Sequence, residues 1–314
     1  MKKFRPEVDK MHKKRWMQGQ KLRGAVAVFI GAASFGVLST IVKKAYAQGY
    51  SLGEVTGIQA LIGALILWTL VLLKGLVSSS SKNCGGKRGE WRKMIIVGTS
   101  SGIVSLSYYQ CVKLLPASIA IILLMQYIWI SVLLELLIFR KKPKRIQIFS
   151  IICVLTGTSF ASGLFSSEIQ ALNWHGALYG FAAAASYAGF LFINGRIGNQ
   201  LSPTYKSALM VTGACLLIFS IFPPGFIFDG SLSSGLLLPG LLLALFGTVV
   251  PPLFFAYGMP KAGVTSGAIL SSAELPVAVL MSYTILREPV SPLQWIGVII
   301  ILASIILPRF SLDC

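Results

Sequence analysis

A single acidic residue lies in the middle of a long apolar run, the segment ILSSAELPVAVLM at residues 269–281. Glu274 is the only charged residue between Lys261 and Arg287. An ionised carboxylate at the centre of a membrane costs about 2.5–3.5 kcal/mol, so it is either neutralised or kept for a function. Two chemistries stay open: a protonated, hydrogen-bonded structural acid, or a carboxylate in a wet cavity that binds a proton and a cationic substrate group in turn.

A helix through Glu274 would carry small and polar side chains on one face, because residues three or four apart lie above one another. The rest of that helix is rich in Leu, Ile and Val. We therefore predict that this face lines a substrate path. Its members are Gly267, Ser271, Glu274, Ala278 and Met281.

Polar and aromatic residues stand at comparable depths in other apolar runs. Gln126 and Trp129 share a face of an earlier helix, where Gln126 is a cavity residue or makes an interhelical hydrogen bond. Tyr109 and Tyr257 lie near the ends of two other helices, and we interpret them as gate residues or as interfacial anchors. Glu135 is different, because it falls on the opposite face from Gln126 and near basic residues, with which we expect it to pair at the membrane boundary.

Two further runs combine small residues with one aromatic residue. GAASFG at 31–36 contains Ser34, and AAASYA at 183–188 contains Ser186 and Tyr187. Small residues allow two helices to approach closely. Both close packing and cavity lining fit these two runs.

Histidine and cysteine usage gives no sign of an enzyme site. His12 and His175 lie outside the apolar runs, and the five cysteines form no CxxC pair. The glycine-containing segment CGGKRG at 84–89 lacks the spacing of a phosphate-binding loop. We predict no catalytic residue, no metal and no cofactor. If the chain transports a substrate, we expect a substrate or ion gradient, and not ATP, to supply the energy for transport.

Composition places the chain in a membrane. Of its 314 residues 55% are hydrophobic and only 12% are charged, and the mean hydropathy is +0.76. A soluble domain carries about twice that charge. The apolar residues fall in blocks of roughly 17–24, the length that spans a bilayer as a helix. We predict an all-α integral membrane protein with ten transmembrane helices, at 25–42, 55–73, 94–112, 115–139, 146–165, 176–194, 205–222, 235–258, 264–286 and 292–308.

The net charge of +18 comes from 28 basic and 10 acidic residues. Because most basic residues flank the apolar runs, we interpret them as topology signals and lipid headgroup contacts, and we predict no nucleic-acid partner. Their distribution favours the cell membrane with both termini in the cytoplasm. Residues 1–23 then form a basic cytoplasmic tail that is disordered or lies on the headgroups with Trp16 at the interface, and 309–314 a short C-terminus.

The second half of the chain repeats the first. GAASFG at 31–36 returns as AAASYA at 183–188, an offset of 152, and RKKPKRIQ at 140–147 returns as REPVSPLQ at 287–294, an offset of 147. An offset of 148 relates Tyr109 to Tyr257 and Gln126 to Glu274. The repeats, 24–165 and 174–308, hold five helices each, so the second enters the membrane from the opposite side. Such inverted repeats place a substrate site between the halves near the midplane.

Four segments carry a resemblance to a known family. They are YYQCVKLLPASIAIILL (108–124), AYGMPKAGVTSGAIL (256–270), SAELPVAVLM (272–281) and LREPVSPLQWIGVIII (286–301). Together with the ten-helix repeat, they resemble the drug/metabolite transporter superfamily and its bacterial EamA branch. The chain departs from that family at Arg140 and Lys141, where members often carry a loop Glu like Glu288.

The resemblance implies a secondary transporter that often exports amino acids or other small metabolites. With the inverted repeat, it predicts transport of a small organic molecule by alternating access between the halves. Two other readings stay open at this point. One is a membrane-embedded enzyme that modifies lipids, and the other is a membrane scaffold that transports nothing.

Overall fold

The structure is a computed structural model that describes residues 5–77, 89–115, 117–140, 142–162, 173–228, 230, 232–287 and 289–310. Helices dominate these residues, and none of them lies in a strand. The predicted cytoplasmic loop between the second and third helices, the junction of the halves and the C-terminal segment fall largely outside the described residues, as do Lys141 and Glu288.

Fourteen α-helices follow one another along the described chain. Two π-helical turns, Ala244–Val249 and Ser282–Leu286, continue α10 and α13. The helices are α1 (Arg5–Gly36), α2 (Leu38–Ala47), α3 (Leu52–Val77), α4 (Glu90–Leu114), α5 (Ala117–Met125), α6 (Tyr127–Phe139), α7 (Arg145–Ala161), α8 (Trp174–Arg196), α9 (Pro203–Ile221), α10 (Leu237–Leu243), α11 (Val250–Ala262), α12 (Val264–Ser271), α13 (Glu274–Met281) and α14 (Pro292–Phe310).

Eight helical segments of the described chain are long and apolar enough to cross a membrane. They are Gln18–Ala47, Leu52–Leu76, Glu90–Leu114, Ile119–Ile138, Trp174–Arg196, Pro203–Ile221, Leu237–Ala262 and Val264–Leu286. The fifth and tenth predicted spans correspond to two shorter apolar helices, Arg145–Ala161 and Pro292–Leu307. An all-helical membrane protein is confirmed, and the count of ten spans stays a prediction.

The two halves share irregular features at equivalent positions. A helix break separates α5 from α6 at Gln126, and another separates α12 from α13 just before Glu274. Both long segments then end at an arginine in the left-handed backbone conformation, Arg140 with φ 53° and Arg287 with φ 55°. A non-glycine residue rarely adopts a positive φ, so its recurrence at an offset of 147 supports the repeat.

The halves pack against each other through equivalent pairs of helices. From the first half, α4 packs against α8 and α9 of the second half. From the second half, α11 packs against α1 of the first half, and α10 with the following π turn packs against α3. The two short apolar helices, α7 and α14, pack on each other. The apolar core therefore lies at the junction of the halves, and any cavity there is lined by both.

The first helix begins within the basic segment. α1 starts at Arg5 and continues without interruption to Gly36, so the described part of residues 1–23 is continuous with the first membrane helix. Trp16 is 67% exposed on this extension. A short break at Val37 then separates α1 from α2.

Candidate functional site

Glu274 occupies the first position of α13, directly after the break that follows α12. The Ser271 and Ser272 hydroxyls there donate to carbonyls of their own helix, those of Gly267 and Ile269. Pro276 has no N–H to donate to the Ser272 carbonyl, which weakens the helix ladder at the same point. Glu274 thus stands at a helix N-terminus, where the backbone dipole favours a carboxylate.

The Glu274 carboxylate is buried, and one of its two oxygens has no hydrogen-bond partner among the residues that the structure describes. The residue is 5% exposed, and its Oε2 accepts a hydrogen bond from the Tyr187 hydroxyl at 3.4 Å. Within the described part of the chain, Oε1 has no hydrogen-bond partner. A buried polar atom without a partner costs about 1–3 kcal/mol, more when charged, so this oxygen is suited to a proton or a ligand donor.

A cavity lies beside this carboxylate, between the two halves. Water-sized spheres can be centred in about 70 Å³ of it, room for several waters at about 10–15 Å³ each. Glu274 and Tyr187 come from the second half, and most of the other lining residues from the first. The lining residues are Phe35, Gly36, Leu38, Ser39, Gln59, Val104, Ser105, Tyr108, Tyr109, Ile121, Leu124, Tyr187, Glu274 and Ala278.

Tyr187, whose hydroxyl contacts Glu274, packs its ring against other aromatic rings. Tyr187 meets Phe35 edge-on at 5.8 Å between ring centroids and Tyr127 at 4.5 Å. Tyr127 is fully buried, and its hydroxyl donates to the Ala268 carbonyl at 3.4 Å. These ring contacts fix the position of Tyr187 beside the carboxylate.

A buried hydrogen-bond chain includes two other residues that line this cavity, Tyr109 and Gln59. The Tyr109 hydroxyl donates to the Gln59 carbonyl oxygen at 3.0 Å, and the Gln59 amide nitrogen donates to the Thr248 hydroxyl at 3.1 Å. The chain links α3 and α4 of the first half to the π turn of the second. It also joins two cavities, because Gln59 lines the cavity beside Glu274 and, with Thr248, a second one.

Several residues predicted from the sequence come together here. Glu274, Tyr187 and Tyr109 all line the first cavity. Ser271 is fully buried one turn before Glu274. Ser34 is 8% exposed and donates to the Phe246 carbonyl at 2.7 Å, so it ties α1 to the π turn.

Other predicted residues do not reach this cavity. The Trp129 indole, 40% exposed, donates to the Gln126 side chain at 2.8 Å, and Gln126 itself donates to the Ile122 carbonyl. Tyr257 is 38% exposed, with the Lys261 ammonium 3.1 Å from its ring centroid. Ser186, next to Tyr187, is half-buried and does not line either cavity.

Glu135 pairs with a basic residue of the second half, whereas the sequence pointed to basic residues nearby on the chain, and its place at the membrane boundary stays a prediction. Glu135 is 1% exposed, and its Oε1 accepts from Arg196 Nη2 at 2.6 Å. Its Oε2 accepts from the Thr265 N–H at 3.2 Å and from the Thr265 hydroxyl at 2.5 Å. Arg196 and Thr265 belong to the second half and are distant in sequence, so position on one helix could not identify them.

Gln59 and Thr248 were not identified from the sequence. Gln59 is the lone amide in an apolar run, the same signal that drew attention to Glu274. Tyr108 also lines the cavity, and its neighbour Tyr109 was recognised only through the repeat. A polar residue inside an apolar helix is expensive wherever it occurs, so every such residue is a site candidate.

A comparison with protein families places most of the chain in one of them. The model of the EamA-like transporter family matches twice, over residues 22–163 and 174–309. One curated relative is the "Uncharacterized transporter YcbK" of Bacillus subtilis (strain 168), which is 23% identical over 287 residues. That alignment covers 87% of this chain and 88% of the relative.

The fold also occurs among solved structures. One crystal structure superposes with a TM-score of 0.72 at 14% sequence identity. The superposition covers 94% of this chain and 99% of the other. At that identity the likeness establishes the fold alone.

Proposed function

This chain belongs to the EamA-like transporter family, and on that premise we propose that it is a secondary transporter that exports small organic metabolites, such as amino acids or related amines, across the cell membrane. The observation that carries the proposal is the buried Glu274 carboxylate, whose Oε1 has no partner among the described residues and which lines a cavity between the halves. A substrate ammonium group or a proton supplies the missing donor.

The proposed cycle uses Glu274 as an exchange site. When the carboxylate is ionised, it accepts a hydrogen bond from a substrate ammonium group, with the Tyr187 hydroxyl on its other oxygen. When a proton occupies the carboxyl, the cationic group loses its counter-charge and leaves. Repacking of the two halves would expose the site to one side of the membrane at a time, as in other transporters built from inverted repeats.

Counterflow in proteoliposomes tests the proposal directly. Candidate metabolites are first ranked by the thermal shift they give to the purified protein, since a ligand that binds the folded state raises its melting temperature. Vesicles loaded with the best unlabelled compound should then accumulate the labelled compound transiently. A lipid-modifying enzyme or a scaffold would bind or convert compounds without producing counterflow, so that result would contradict transport.

The proposed orientation makes a prediction about topology. Reporter fusions after residues 85, 142 and 314 should report the cytoplasm, and fusions after residues 170 and 229 the outside, because most Lys and Arg residues then lie on the cytoplasmic side. Reporter activity in whole cells is the measurement. A cytoplasmic signal at residue 170 would contradict five spans per half and the inverted repeat.

Tyr109→Phe is expected to reduce exchange several-fold, because it breaks the hydrogen bond to Gln59 in the wall of the cavity. The ring stays in place, so folding should be nearly unchanged. Tyr257→Phe is the matched control at the equivalent repeat position, where the exposed ring contacts Lys261. The measurement is the exchange rate of each variant in vesicles of the same composition. Equal losses would support the symmetric gate suggested by the repeat. No loss in Tyr109→Phe would exclude Tyr109 from the site.

A further inference from the structure

We propose that Glu135, Arg196 and Thr265 form an inter-repeat latch, which holds one end of the transporter closed and must open in each cycle. The inference rests on the proposed alternating-access function. It is carried by contacts that are separate from Glu274. Glu135 lies in the first half, on α6, whereas Arg196 ends α8 and Thr265 lies in the first turn of α12, both in the second half.

The contacts of the latch are short and involve charged groups, and the Glu135 carboxylate among them is buried. The Glu135 side chain is 2% exposed and lies 2.6 Å from Arg196 Nη2, while the Arg196 side chain is 35% exposed. The second carboxylate oxygen accepts both the backbone N–H and the hydroxyl of Thr265. A single carboxylate thus bonds two helices of the other half, and the halves cannot separate at this point without breaking charge-assisted hydrogen bonds.

The latch lies away from the cavity along both helices that join them. Glu135 follows the cavity residue Leu124 by eleven positions, about 16 Å of helix, and Thr265 precedes Glu274 by nine, about 13 Å. The cavity and the latch therefore occupy different levels of the bundle. In the proposed topology the latch is at the cytoplasmic end, and it separates the cavity from the cytoplasm.

The repeat does not duplicate the latch at the other end. The offsets of 148 and 152 relate Glu135 to Tyr283 and Arg196 to Lys44. Tyr283 is 52% exposed and carries no charge to pair with Lys44. Among the described residues the equivalent positions therefore form no such pair, and in the proposed topology this asymmetry favours closure of the cytoplasmic end.

Accessibility of a buried thiol measures the opening of the latch. Ser131 is fully buried one turn before Glu135 on the same helix face, so Ser131→Cys gives a nearly isosteric reporter. The full-length protein in nanodiscs is treated with a water-soluble maleimide, and labelling above the parent protein is followed by intact mass. In the Glu135→Gln background we expect the labelling rate to rise roughly tenfold or more. Removing one partner of a buried charge pair shifts the equilibrium between the closed and the open latch by at least that factor.

Two controls separate opening from general loosening. Glu54→Gln removes another helix-capping acid, one that bonds Ser51 within the first half, and should leave labelling unchanged. Ser304→Cys, 1% exposed on α14, reports loosening of the whole fold and should stay unlabelled in the Glu135→Gln background. Labelling of both reporters at the same raised rate would overturn the latch in favour of simple destabilisation.

A second variant keeps the test decisive if Glu135→Gln folds poorly. Arg196→Gln changes a partly exposed side chain and should raise Ser131→Cys labelling in the same way. The double variant Glu135→Gln/Arg196→Gln should label no faster than the faster single variant, because paired residues are not additive. Unchanged labelling in a folded single variant, or multiplied effects in the double variant, would overturn the proposal.

The labelling experiment uses no substrate. An absence of counterflow by the wild-type protein would therefore count against the proposed function, and the labelling result would still test the latch.

Discussion

Glu274→Gln is expected to reduce counterflow by roughly 10- to 100-fold, the equivalent of about 1.5–3 kcal/mol for a hydrogen bond to a charged group. Glutamine keeps the size of the side chain and can still accept from Tyr187, but it cannot ionise or release a proton. The wild-type rate should rise with pH as the carboxyl loses its proton and accepts the ammonium group. The variant should show a low rate that does not change with pH.

The measurement is counterflow of the best-bound metabolite in proteoliposomes across a pH series, with melting temperatures to show that the variant folds. Glu54→Gln, at the start of α3 and outside the lining of both cavities, is the matched control and should retain the wild-type pH profile. Wild-type rates and an unchanged profile in Glu274→Gln would show that the charge is dispensable. Glu274 would then be a protonated structural acid.

Gly98→Ala is expected to destabilise the protein by about 3 kcal/mol or more, the upper range for overpacking. A methyl group at Gly98 would collide with the backbone carbonyl of Met210, and one at Gly213 with that of Ile95. These contacts join α4 of the first half to α9 of the second. Since both obstacles are backbone atoms, no rotamer change relieves the collision, and the two halves must move apart.

Gly75→Ala is the control for this substitution. Gly75 lies near the end of α3, and nothing lies within 4 Å of an added methyl group. Alanine is favoured over glycine in a helix by about 0.8–1.0 kcal/mol, so this variant should be as stable as the wild type or slightly more so. Melting temperature in detergent and the yield of monodisperse protein are the measurements. A Gly98→Ala protein that melts like Gly75→Ala would contradict the close packing of α4 and α9.

The sequence by itself determined the features that depend on short stretches of chain. The order of residues along the chain is enough to identify apolar runs of membrane-spanning length and the basic residues that flank them. It also shows the recurrence of motifs at offsets of 147–152. The same reasoning singled out Glu274, because an acid in an apolar helix is costly wherever that helix packs. The breaks near Gln126 and Glu274 were not predicted, because both positions lie inside apolar runs whose pattern predicts continuous helices.

Only the tertiary structure decided which of these residues meet. Tyr187 reaches Glu274 across 87 positions, Gln59 reaches Thr248 across 189, and Glu135 reaches Thr265 across 130. The repeat suggested symmetric roles, yet Tyr109 is buried in the cavity wall and its partner Tyr257 is exposed beside Lys261. Two residues at equivalent repeat positions share a place in the sequence, but their burial depends on how the two halves pack. Because the cavity beside Glu274 reaches Tyr109 and not Tyr257, the two tyrosines have different surroundings.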